Sequence, residues 1–545
     1  MKKNLLSFYL ICLIVMLSSC SGGDDIANNT GNKKKAYAYF EKTEMSATAG
    51  ASEYSLAIDW AYSKWSITKG DGDIIKTITP TTGGMLDGKP QTVTIKVACN
   101  ANTGLNERTQ TIILTDEVNN TTTKITIRQE AAMSIVNLSI NTSQRHQSVV
   151  GFGGMYNPKI WCGNNLINLS QLQSMYGKDG LGYNILRLMI YPNEADWSAD
   201  VEAAKAVQQM GGIVFACPWD CTTALAETIS VNGRDVKHLK KENYTAYADH
   251  LIRYINYMKG QGVNLHAISV QNEPDMDFTF WYPNEVVDFV KAEGQRIRNT
   301  GVLLMSPEAC GTQPQYTDPI INDAEAMAQT DIIAGHIYQG FIDLDYSYVK
   351  NRHDYICSLY SRLSGKTWWM TEHLFNDGEK ESDSSKWLFQ KWNYVLTHLA
   401  KEIHMTMEGN CSAYVYWYLK RFYGLMGDND SRSPVSEGLI TKNGYVLSHY
   451  AKYAANTTRI DAQTSDTNIK ATAYINKSGD EITIVALNFG NESNMLSIDY
   501  PGVKSVTAEE TTEKKDMKSV TTEGSESKFY VPISAQSIIS IRLKL

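Results

Sequence analysis

What this 545-residue chain lacks narrows its function before any motif is considered. It has no basic excess: 51 Lys and Arg stand against 59 Asp and Glu, a formal net charge of −8 with a pI near 5.8. Nucleic-acid affinity rests on counterion release by a basic surface, so nucleic acid is not expected as a partner. An acidic ligand would have to be met by a local arginine rather than by the field of the whole molecule. Beyond the first twenty residues, no run is long and apolar enough to span a bilayer. A disulfide framework is also missing. Of nine cysteines, Cys12 and Cys20 fall in the leader, and Cys99, Cys162, Cys217, Cys221, Cys310, Cys357 and Cys411 are scattered and odd in number. Cys217 and Cys221 form the one close pair, at a spacing that fits neither a redox CxxC nor a zinc motif, so neither metal nor cofactor is expected. What remains, 43% hydrophobic and 20% charged, is a globular composition long enough for roughly two or three domains.

The first twenty residues read as an address. Lys2 and Lys3 precede the apolar LLSFYLICLIVML, and Leu17-Ser18-Ser19-Cys20 resembles the lipobox of bacterial lipoproteins. That resemblance implies a lipid anchor on Cys20, the only expected membrane contact, at the outer membrane of a bacterial cell envelope. The acidic SGGDD hints at surface exposure. The other reading is an ordinary secretory leader. Residues 21–35 form a polar tether. Residues 36–131 alternate apolar and polar between turn-rich stretches, which predicts a small immunoglobulin-like β-sandwich. From residue 146 to 454 the rhythm changes to strand and helix in turn. SVVGFGG, YNILRLMI, GIVFACPW, LHAISVQNE, VLLMSPEA, IIAGHIY, TWWMTEH and AYVYWYL alternate with amphipathic segments such as the one placing Tyr247, Leu251, Ile255 and Met258 on one face. Eight such units predict a (β/α)₈ barrel. Residues 455–545 return to strands and predict a second sandwich, to which residues 132–145 add a strand.

Reactive groups in such a barrel gather at the C-terminal ends of its strands. Four carboxyls fall there: Glu273 in ISVQNEP, Glu372 in WWMTEH, Glu308 in SPEA and Asp220. Hydrolysis of a glycosidic bond needs one acid to protonate the leaving oxygen and one carboxylate on the opposite face of the sugar. Strands four and seven face each other across the mouth, which favours Glu273 as acid/base and Glu372 as nucleophile. Asn272 is placed to bond the sugar 2-hydroxyl, and Arg187 or His336 to keep Glu372 ionised. A carboxyl at a strand end is more often a cap or an ion-pair partner, and pattern alone does not separate the four. The surrounding aromatics do. Trp219, Trp281, Tyr338, Trp417 and Tyr423 fall at strand ends or just beyond, where rings stack on sugars. Taken singly, each is as well explained by core filling.

GFGGM, NILRL, IVFACPW, NLHAISVQNEP, WWMTEH, YVYWYLKRFYG and GYVLSHYAKY together resemble glycoside hydrolase family 30, from about residue 133 to the C-terminus. Within it they are most similar to the glucuronoxylan-specific endo-β-1,4-xylanases. The resemblance implies a retaining endo-acting hydrolase of glucuronoxylan or a related plant polysaccharide, with Glu273 as acid/base and Glu372 as nucleophile. It also implies that Arg421 and Tyr423 of KRFYG grip a glucuronate branch, where a planar guanidinium meets a carboxylate bidentately. NERTQTIILT and TKITIRQEA, with Trp65 upstream, resemble BACON modules and imply a spacer or a weak binding module. Departures from the family pattern are also present. Leu374 and Phe375 stand where a hydroxyl contact to the uronate is expected, and Ser382, Ser384 and Ser385 are not distinguishable as substitutes. Asp220 would repel a uronate if ionised and close. The alternatives are a family member indifferent to the branch, one acting on β-1,6-glucan or glucosides, or a non-catalytic glycan-binding surface lipoprotein.

Overall fold

The computed structural model describes residues 35–104, 106–160, 166–276, 278–338, 346–374, 391–525 and 527–545, with backbone alone at 346–351. The leader, Cys20 and tether residues 21–34 lie outside them, as do Cys162, Phe375, Ser382, Ser384 and Ser385. The chain divides into two compact units, Met1–Ala132 and Met133–Leu545.

In the first unit, period-two alternation sends every second side chain inward, as in Arg108–Asp116, where Gln110, Ile112, Leu114 and Asp116 are buried. A four-stranded and a five-stranded sheet result. Their inner faces share a core of Ile58, Trp65, Ile95, Val97, Ile112, Leu114 and Ile127. Asp116 is buried too, but it accepts the Ser63 hydroxyl at 2.5 Å and the Ala38 amide at 3.1 Å. Against the upward push of burial, these and further donors lower its pKa.

The second unit carries a closed barrel of eight parallel strands: β1 (Gly151–Met155), β2 (Ile185–Ile190), β3 (Ile213–Pro218), β4 (Ala267–Ser269), β5 (Leu303–Ala309), β6 (Ile332–Gly335), β7 (Thr367–His373) and β8 (Cys411–Tyr416). They are the eight strands the sequence predicts. Their apolar residues are near-continuous because each strand is covered on both faces. Inside, Ile185, Phe215, Ala267, Met305, Ile332, Trp369 and Val415 form one apolar layer. Two residues further along β2 and β3 the inward positions become Arg187 and Cys217, so the polar layer begins directly above. Between β3 and the helix Tyr244–Gly260 lies an antiparallel hairpin, Ala226–Val231 with Arg234–Leu239, that the sequence reading does not anticipate.

Nine strands of residues 455–545 and the strand Ser134–Val149 build a ten-stranded sheet. The strands of the expected side sandwich, with the added strand before the barrel, form one continuous ladder. Its two halves still enclose a common core, because Ser134–Val149 joins them by pairing antiparallel with Thr457–Thr464 and parallel with Asn494–Asp499.

Closure of the barrel depends on a bare position in β1. A Cβ on Gly153 would lie 1.7 Å from the Ile185 carbonyl oxygen, a backbone atom that cannot rotate away. Gly153→Ala is expected to destabilise the barrel unit by about 3 kcal/mol or more, read as a lower denaturant midpoint at unchanged slope.

Candidate active site

Arg187 of β2 is fully buried beneath the barrel mouth, its guanidinium 4.4 Å from the Trp219 ring centroid. One terminal nitrogen donates to Glu372, and the other donates to Asn272 Oδ1 at 2.6 Å and Glu308 Oε1 at 3.0 Å. Burial acts to strip its charge, but Glu308 and Glu372 outweigh that and hold it above the ordinary arginine range. Glu308, at the end of β5, is completely buried and also accepts from the Cys217 thiol at 2.9 Å. Burial pushes its pKa up, Arg187 and His336 pull harder, and the result is about 2. Glu308 is thus a permanent counter-ion below the site and is not the reacting acid.

Glu273 and Glu372 meet above it. One oxygen of each, together with a ring nitrogen of His336, all lie within 4.8 Å of one another. Glu273 follows β4 in the left-handed region, at φ 44°, with its amide bonded to the Glu308 carbonyl at 3.0 Å. That conformation is costly for a residue with a Cβ and is held by the surrounding backbone. It aims the side chain at His336, whose Nδ1 is 2.9 Å from Glu273 Oε1. Glu372 accepts from Arg187 and, at 2.9 Å, from the Tyr338 hydroxyl. Burial pushes the Glu372 carboxyl up; His336 and Arg187 pull it down, and nearby Glu273 pushes it up again, leaving it raised. Burial depresses His336, but Glu372, Glu273 and Glu308 outweigh it and raise its pKa to about 9. At neutral pH the cluster therefore holds two cations, Arg187 and His336, against the Glu308 anion.

The other predicted residues divide. Asn272 spends its oxygen on Arg187, while its fully buried Nδ2 has no partner among the described residues and is free to donate. Trp219 and Trp417 lie with ring centroids 5.7 Å apart beside Arg187. Tyr338 is more than an aromatic wall, since its hydroxyl bonds Glu372. Arg421 lies in the segment after β8, its guanidinium carbon 5.7 Å from both the Tyr418 and Tyr423 ring centroids, and it ion-pairs with no carboxylate among the described residues. The following loop is pinned behind it by Lys420 on Glu437 at 2.8 Å and by Arg432, which stacks 3.6 Å over Phe422. Trp281 corrects the sequence reading. It is 1% exposed and packs on Tyr244, Tyr247 and Phe289, so it fills the core between helices and lines no opening. Asp220 is ion-paired with Lys237 at 2.6 Å and accepts from Thr279, so its charge is already met.

Sequence reasoning misses two supports. The Cys310 thiol lies close enough to Glu273 to feel its charge and, mainly through burial, is held protonated. His373 stacks against Tyr338 at 4.9 Å between ring centroids and is fixed by Glu402 at 2.8 Å, which Tyr414 also meets at 2.6 Å. The signal for His373 was its place directly after Glu372 in TEH; Cys310 offered none.

His336 makes the site's electrostatics measurable. A histidine whose proton is held more tightly in the folded chain contributes its full stabilisation below pH 6.5 and loses it as the pH rises through about 9. The shift corresponds to stability on the order of 3 kcal/mol. Unfolding free energy is expected to fall between those pH values in the parent protein and to flatten in His336→Asn.

Residues 182–359 match the model of the glycosyl hydrolase family 30 TIM-barrel domain. Over 363 residues, 65% of this chain and 78% of the relative, the chain is 34% identical to glucuronoxylanase XynC of Bacillus subtilis (strain 168). Among solved structures, a GH30 endoxylanase from Clostridium papyrosolvens C71 superposes with a TM-score of 0.63 at 31% identity, covering 75% of this chain and 100% of that one. A family 30 subfamily 8 xylanase from Clostridium acetobutylicum superposes with a TM-score of 0.61 at 29% identity over the same shares. With its eight-stranded barrel and attached β-sheet, the chain belongs to glycosyl hydrolase family 30.

Proposed function

We propose that this glycoside hydrolase cleaves β-1,4-xylan internally with retention of configuration, and that a glucuronate branch guides where it cuts. The observation that carries the reading is the approach of Glu273 and Glu372 to within 4.8 Å at one barrel mouth. That separation matches the roughly 5–5.5 Å of retaining enzymes and leaves no room for the intervening water of inverting ones. Glu372 is the nucleophile, because Arg187 and Tyr338 both donate to it and stabilise the charged form. Glu273 is the acid/base. It gives its proton to the departing glycosidic oxygen while Glu372 bonds the anomeric carbon, then takes a proton from the water that releases the sugar. The free Asn272 amide N–H faces the 2-hydroxyl, where hydrogen bonding strengthens as the oxocarbenium ion develops. The name of the Bacillus subtilis relative supports the substrate. Arg421 supports the branch: its guanidinium, flanked by Tyr418 and Tyr423, has the planar fork that meets a carboxylate bidentately.

Glu273→Gln is expected to lose about 10²–10⁴-fold in kcat/KM on xylan, and much less on an aryl glycoside whose leaving group needs no protonation. NMR of the first product should show the β-anomer; an α-anomer would overturn the retaining assignment. Arg421→Ala is expected to lower kcat/KM on glucuronate-branched xylan roughly ten- to hundredfold, leaving linear xylan little changed. An unchanged branched-to-linear ratio would remove the glucuronate role.

A further inference from the structure

Glu372 sits where the ladder between β7 and β8 loses its register. Met370 pairs with Tyr414 and His373 with Tyr416, so β7 advances three residues while β8 advances two. Thr371 and Glu372 lie in that bulge, a device that re-aims a side chain by giving up regular strand pairing. What fixes the Glu372 carboxyl must therefore come from its neighbours. Arg187 donates to one oxygen, and the Tyr338 hydroxyl donates to the other at 2.9 Å. Tyr338 follows the end of β6, so it needs a hold of its own.

Two imidazoles flank the Tyr338 ring. His336, bonded to Glu273, meets it edge-on at 6.0 Å between centroids, and His373 meets it at 4.9 Å and 55°. Behind His373 stands a buried acid that the double displacement does not use. His373 Nδ1 donates at 2.8 Å to Glu402 Oε1, on the helix Lys401–Glu408 that leads into β8, and the Tyr414 hydroxyl donates to the same oxygen at 2.6 Å. His373, Glu402 and Tyr414 are all buried. A carboxylate out of water holds its donors tightly, because each one replaces lost hydration. The backbone adds a second tie, since the Trp417 amide donates to the His373 carbonyl at 2.8 Å. The His373 ring is thus fixed from behind by a helix and a strand, and it packs on Tyr338 in front.

We propose that His373 and Glu402 are positioning residues for the nucleophile. Glu402 sets the His373 ring, the ring sets the Tyr338 hydroxyl, and the hydroxyl keeps Glu372 aimed at the anomeric carbon. The inference rests on the assignment of Glu372 as nucleophile above and adds to it two residues that act through another side chain. A carboxylate aimed slightly wrong lengthens its approach to the carbon, which lowers the rate constant of bond formation and leaves sugar binding unaltered.

Bond formation can be read directly with a 2-deoxy-2-fluoro xylo-oligosaccharyl fluoride. Glu372 bonds its anomeric carbon as the carbon–fluorine bond breaks and fluoride leaves with the electron pair, so no proton from Glu273 is needed. The limiting rate constant and the half-saturating reagent concentration are measured on the full-length protein. Intact mass counts the labelled molecules, and the rate constant is taken over these alone, so loss of folded protein does not enter it. Glu402→Gln should lower the limiting rate constant roughly tenfold with the half-saturating concentration near the parent value. His373→Phe, which keeps a ring on Tyr338 but cannot bond Glu402, should do the same. In the Tyr338→Phe background, Glu402→Gln should cost less than about twofold more, because the hydroxyl it positions is gone. Unchanged rate constants in Glu402→Gln and His373→Phe would overturn the proposal. So would an equal loss with and without the Tyr338 hydroxyl, which marks a merely structural role, or a loss confined to the half-saturating concentration. Failure of the parent to label at Glu372 would instead overturn the nucleophile assignment, and this inference with it.

Discussion

A single guanidinium buried at the top of the barrel interior sets the terms for the rest of the site. Arg187 is taken entirely out of water, a transfer that costs several kcal/mol unless partners replace the lost hydration. Here Glu308 supplies the countercharge, Asn272 supplies an oxygen, Glu372 a second carboxyl, and the face of Trp219 covers the remaining side. These partners come from β5, β7 and the segments after β3 and β4, so one side chain ties together several staves of the barrel. Glu308, fully buried, supplies the countercharge to Arg187 from below, while Glu372 meets the same guanidinium beside Glu273.

Much of this was legible in the residues. The eight parallel strands were readable because double-sided burial makes each one nearly continuously apolar, and Glu273 and Glu372 because carboxyls ending strands four and seven must face one opening. The division of labour among four strand-end carboxyls was not. Glu308 and Glu372 occupy equivalent places in the sequence pattern and both accept from Arg187; only the structure shows that Glu372 is the one beside Glu273 while Glu308 lies fully buried with the Cys217 thiol. Trp281 misled because a tryptophan just past a strand end suits a sugar platform and a helix-packing core equally well; the ring direction decides, and sequence does not carry it.

Other features stayed hidden for related reasons. The hairpin at residues 226–239 has no long apolar run; its one local signal is the tight two-residue turn Asn232-Gly233, with Asn232 at φ 50° and Gly233 at φ 77°, which the sequence reading overlooks. Its stability comes from His238, Glu227 and Glu285, which are far apart in sequence. The strand before the barrel was expected to join the second sandwich, more than three hundred residues away; that it pairs on both of its edges and makes one continuous ten-stranded sheet is what period-two patterning does not reveal.

That strand has a topological consequence. A (β/α)₈ ring has one seam where its first and last staves meet, here Gly151 beside Ala413. The chain enters this seam directly from Ser134–Val149 and leaves it, through the helix Lys442–Ala454, into Thr457–Thr464, and those two flanking segments are hydrogen-bonded to each other. Parting the seam therefore requires unzipping a ladder outside the ring as well. Ring and appendage form one cooperative folding unit: the sugar-cutting module cannot be excised at its own borders, and recombination would have to move it together with the sheet that locks it shut.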